Sequence, residues 1–143
     1  MLVLSPLVRT LPQPGCHGDG DRSCGSPTYA DDMVGPEDAT LVTLARAACA
    51  RSGTAEGAAV RDLDGRTYAA SAVSLPSLRL SALRLAVAMA VSSGGRGLEA
   101  AAIVSAAGAV APDDLDTVRD VGGPGVVVHV VNPSGQPRAG ETT

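Results

Sequence analysis

The run from Ser74 to Gly94 constrains this chain more than any other stretch. Leu78, Leu80, Ala82, Leu83, Leu85, Ala86, Val87, Met89 and Ala90 leave almost no polar face, a pattern that predicts a helix covered on most sides. Pro76 and Ser77 supply a start signal, because proline suits a first turn whose N–H groups lack partners and serine caps them. Ser92 to Gly95 supplies the stop. The core around this helix must be built from Ala, Val and Leu, since Tyr29 and Tyr68 are the only aromatic residues. Such side chains bury little area each, which predicts modest stability or support from oligomerisation.

The flanking segments alternate between helix and strand signals. Gly35 to Asp38 opens a helix, with an early proline and acids at the positive end of its dipole. Leu41, Leu44, Ala45, Ala48 and Cys49 then recur at helical spacing up to Arg51–Gly53, which places Cys49 on the core side as a small hydrophobe. Residues 57–62 and 66–73 are strand-like runs joined across Leu63-Asp64-Gly65, and Asp-Gly at that place is a hairpin signal. Asp62 and Asp64 read as solvated turn residues. Residues 98–105 predict a buried strand, 112–121 a short helix with an acidic first turn, and 125–131 a β-branched strand that is central and covered on both faces. His129 in that strand reads as a packed or hydrogen-bonded core residue. Gly122 to Gly125 precedes a strand instead of opening a helix, so it is a loop and not a phosphate cradle. The order predicts an α/β fold: a three-layer α/β/α sandwich on a mixed sheet.

At 143 residues the chain holds one domain, read as residues 37–135, with a disordered extension over 1–36 and a polar tail over 136–143. Met33 is a candidate natural start. The net charge of −4 argues against phosphate-backbone binding, so nucleic acid is not an expected partner. No apolar run reaches the length of a membrane span, and the default location is the cytoplasm. The three cysteines do not suggest a disulfide framework, and Cys16, His17 and Cys24 lack a fourth partner for a zinc site.

Three segments carry a further signal. Gly57-Ala58-Ala59-Val60 matches a Val-Gly-Ala-Ala strand from its glycine onward, Asp64-Gly65-Arg66 matches a hairpin turn, and Ala82 to Gly94 falls without gaps on an Ala-Glu-Arg-Thr-Ala helix. In these features, over Leu41 to Gly135, the chain resembles the small homotetrameric cytidine deaminases of the cytidine deaminase-like superfamily. The resemblance implies their fold, a tetrameric assembly, a zinc held by a Cys or His and by the two cysteines of a Pro-Cys-x-x-Cys segment, and a Glu two residues after the first ligand that shuttles the proton.

The positions that would carry this chemistry hold other residues. Ser81 stands at the first ligand position, Leu83 at the proton shuttle, and Asp113 and Asp116 at the two cysteines. Leucine transfers no proton. At positions that the resemblance gives to the substrate pocket stand Thr54, Ala72 and Ser74. Arg84 matches the arginine beside the zinc thiolates, and with those gone it is expected to pair with Asp113 or Asp116. A second reading has Asp113 and Asp116 facing Ser77 or Ser81 as an oxygen-rich site for Mg²⁺ or Ca²⁺, against simple capping of a helix end. The functional expectation is a catalytically inactive, degenerate member without a cofactor, acting as a homo-oligomer or through a protein partner, with a vestigial nucleoside pocket. The alternative is an active nucleoside deaminase with a rebuilt site.

Overall fold

Strand β5 (Leu98–Ser105) is thin enough to be approached from both sides. Ala100, Ala102 and Val104 face one layer, while Ala101 and Ile103 face the other, and all five are buried. The computed structural model describes residues 34–143. Around β5 it builds a mixed five-stranded sheet in the order β2-β1-β5-β6-β7, from β1 (Glu56–Asp62), β2 (Thr67–Ser71), β6 (Val127–Val131) and β7 (Pro137–Thr142). Only β5 and β6 run parallel; the other neighbours are antiparallel. The parallel pair requires a crossover, supplied by α3 (Pro112–Gly122).

Helix α1 (Pro36–Ser52) covers one face, with Leu41 and Ala45 against Ala59, Ala100 and Val104. Its close approach needs Gly57, because a Cβ there would meet the Ala45 carbonyl and stand 2.8 Å from Cys49 Sγ. Gly53, at φ +65°, ends the helix in the left-handed conformation and donates its N–H to Cys49 O. The other face is covered by α2 (Ala82–Ser92) and α3, whose Leu83, Ala86, Val87 and Val118 pack on Val60, Ile103 and Val128. The molecule is therefore the three-layer α/β/α sandwich with a mixed sheet that the sequence predicts.

Several local expectations differ. Pro76 and Ser77 do not start α2. They form the turn of a small ladder in which β3 (Val73–Ser74) pairs with β4 (Arg79–Leu80), and the cap is Ser81, whose Oγ accepts from Arg84 N at 3.2 Å. Nor is α2 enclosed: Met89 is 39% and Val91 49% exposed on its outer side. Residues 136–143 are not a loose tail, since Pro137–Thr142 pair along β6 as the sheet edge, which leaves β5 and not β6 at the centre. Asp62 is fully buried; its Oδ1 accepts from the N–H groups of Asp64 and Arg66, and its Oδ2 from Tyr68 Oη at 3.2 Å. The turn chemistry is as expected but its carboxylate lies inside. His129 Nε2 lies 3.0 Å from Asp38 Oδ2, and Asp38 also pairs with Arg61 at 2.8 Å, so the start of α1 is tied to two strands. Of the extension expected over 1–36, Val34 is buried and Pro36 opens α1, whereas residues 1–33, with Cys16, His17, Cys24 and Met33, lie outside the described residues.

Candidate functional site

The N-terminal ends of α2 and α3 meet above β1, and their first turns assemble a polar cluster. Ser81, cap of α2, donates from Oγ to Asp114 Oδ1 at 2.8 Å while accepting from Arg84 N. Asp114 is in the first turn of α3, its side chain only 7% exposed. Arg84 brings Nη2 to 3.1 Å from Asp113 Oδ2 and Nε to 3.0 Å from Asp114 Oδ1. The Nε–H is not aligned with that oxygen as a hydrogen bond, so this second contact is an ion pair by proximity. With no acid in its own first turn, α2 receives from α3 the negative charge that its dipole favours there.

Of the two acids expected near Arg84, Asp113 is in reach and Asp116 is not. Asp116 pairs with Arg119 three residues on. Asp114 takes the inner place because one helical step of 100° turns it, and not Asp113 or Asp116, against Ser81. Leu83 is fully buried in the core, not at the surface of the cluster.

Glu56, at the start of β1, is a member that the sequence reading missed. Burial pushes its carboxyl above the usual glutamate range and the nearby Asp114 charge pushes it further, against a lowering contribution from the Ala82 N–H at the start of α2. The Glu56 carbonyl accepts from Thr54 Oγ1 at 2.9 Å and from Ala72 N at 3.3 Å, which brings two of the three pocket positions together. Ser74 is exposed in the β3–β4 ladder. Thr54 also lines a hollow of about 600 Å³ beneath α1, with Arg46, Cys49, Val104 and Pro133, whereas Ser81, Leu83, Arg84 and Asp114 do not line it. Burial, with the Glu56 charge second, pushes the Cys49 thiol up, so it remains protonated and a poor nucleophile.

A family model described as cytidine deaminase-like matches residues 34–135. The chain belongs to the cytidine deaminase-like family. Among solved structures it is similar to cytidine deaminase from Burkholderia pseudomallei, at 27% identity and a TM-score of 0.61 over 73% of this chain and 89% of that one. It is also similar to the cytidine deaminase of Mycobacterium leprae, at 26% identity and 0.57 over 72% and 90%. For that of Mycobacterium tuberculosis the values are 28% and 0.55 over 69% and 86%. No curated protein matches the sequence.

A zinc of the kind used by cytidine deaminases finds no suitable donor set here. Ser81, Asp113 and Asp116 offer a hydroxyl and two carboxylates in place of thiolates or imidazoles, and both carboxylates are engaged by arginines. Among the described residues no three His, Cys, Asp or Glu side chains converge as a metal site would require. The residues do not fit zinc, and no chemical step is derived through it. The two carboxylates expected to face Ser77 or Ser81 pair with arginines instead, Asp113 with Arg84 and Asp116 with Arg119. No helix among the described residues is long and apolar enough to cross a membrane.

Proposed function

We propose that this protein is a non-deaminating member of the cytidine deaminase-like family that works as a scaffold by associating with further copies of itself. The observation that carries the reading is the replacement at the start of α2. Hydrolytic deamination needs a metal-bound water and a carboxylate to move its proton, and the chain offers Ser81 bonded to Asp114 and a Leu83 buried in the core.

The scaffold role is supported by apolar surface around α2. Met89 and Val91 on the helix, and Leu75 and Leu78 in the turn before it, are all at least 39% exposed. On a chain whose interior consists of small side chains, large apolar residues left outside favour association. Thr54, one of the three expected substrate-pocket positions, lies on a ligand-sized hollow that Ser81, Leu83, Arg84 and Asp114 do not line.

The test is direct. The full chain, purified in zinc-containing buffer, is assayed for bound zinc and for the ultraviolet change that follows cytidine deamination, and its mass in solution is measured by light scattering. No stoichiometric zinc, no turnover and a mass above the monomer support the reading; turnover or a strictly monomeric chain overturns it.

A further inference from the structure

We infer that Ser81, Arg84 and Asp114 form a metal-free strut that holds the start of α2 to the start of α3. It does the joining that a zinc shared between those helices would do, and it makes the fold independent of metal. The inference rests on the family membership and on this geometry, and stands whether or not the chain self-associates.

The Asp114 carboxylate, 93% removed from solvent, is tolerated only when hydrogen-bonded or paired with opposite charge. Both partners come from α2, and neither from α3 itself: the Ser81 hydroxyl at 2.8 Å and the Arg84 guanidinium at 3.0 Å. Displacing α3 would therefore strand a buried charge on one helix and leave an arginine in the first turn of the other, where the dipole disfavours it. Ser81 couples the two effects, since the same Oγ accepts from Arg84 N. The outer contact, Arg84 to Asp113, has Asp113 79% exposed and steers the guanidinium more than it stabilises it.

The strut is also placed where α3 most needs it. The side chains that seat α3 are few: Val118 in the core, with Leu115 and Val121 partly buried beside it. Asp114 is the buried residue of its first turn.

Native-state amide hydrogen exchange on the full chain tests this, read separately over residues 112–122 and over β5. Arg84→Met should speed exchange across 112–122 by about tenfold or more while β5 keeps its protection, because each tenfold corresponds to about 1.4 kcal/mol of local opening. Asp114→Asn should do the same. Pairing Arg84→Met with Asp114→Leu should cost less than the sum of the single changes, since it removes the buried charge with its partner. Chelator, or added zinc, should leave the exchange of the unaltered chain unchanged. Unaltered α3 exchange in Arg84→Met, additive effects in the double variant, or slowing of α3 by zinc each overturn the strut. If Arg84→Met does not fold, the comparison of chelator with zinc on the unaltered chain still decides.

Discussion

Ser81 Oγ lies 2.8 Å from Asp114 Oδ1, so one hydrogen bond joins the cap of α2 to the first turn of α3. The same hydroxyl terminates the α2 backbone. Ser81→Ala removes a cap and a hydroxyl donor to a buried carboxylate together, and should lower stability by about 2 kcal/mol. A urea denaturation midpoint measures it, and a loss below about 0.5 kcal/mol would show that the backbone at 81 satisfies itself.

Glu56 sets a pH dependence of the opposite sign from an ordinary salt-bridged acid. Burial, then Asp114, raises its folded value above the ordinary 4.5, so between those two values the folded chain binds more protons than the unfolded one. Its contribution is therefore fully present below the unfolded value and lost as pH rises through the folded value. Glu56→Gln should flatten that part of the profile and stabilise the chain at neutral pH, as urea midpoints collected across the range will show.

Asp38 bridges His129 and Arg61 from the first turn of α1, and Arg61 is further held by Glu99 at 2.8 Å. Asp38→Ala leaves two largely buried donors without their shared acceptor and should cost about 2–3 kcal/mol. Asp38→Asn should cost less, since the amide oxygen still accepts from one of them.

Gly57→Ala should loosen α1 from the sheet. The added methyl would press on the Ala45 backbone and on Cys49 Sγ, and backbone cannot give way as a flexible side chain does. A loss of about 1–3 kcal/mol is expected, with faster amide exchange in α1 as the local sign.

Met89→Glu with Val91→Glu places charge on the outer side of α2 and touches none of the core. The variant should keep its thermal midpoint at low concentration and lose the higher-mass species in light scattering. An unchanged mass would move the contact elsewhere on the surface.

Much of the architecture was legible because periodicity reports burial. Residues 98–105 emerge as β5 with the predicted bounds, and the Asp64-Gly65 turn joins β1 to β2. The start of α2 was misplaced because Pro76-Ser77 and Ser81 are equally good caps in isolation; pairing of Arg79-Leu80 with Val73-Ser74 decides between them, and that is a tertiary fact. β7 was hidden because Pro137, Gly140 and its polar residues are typical of loops, whereas the apolar row of β6 supplies the partner that makes them a strand.

At the site, the sequence pointed to Arg84 and to the start of α3 but not to the residue that matters most there. Asp113, Asp114 and Asp116 are chemically alike, and only the rotation of α3 against α2 selects Asp114 for burial. Glu56 was invisible for the same reason: nothing local in a strand reveals which helix ends will converge on its first residue.

The measurement that bears most directly on the account is cytidine turnover by the full chain in the presence of added zinc, followed by ultraviolet absorbance. The arrangement of Ser81, Leu83 and Asp114 predicts a rate no different from the uncatalysed solution. A protein-dependent loss of cytidine, abolished by chelator, would contradict it.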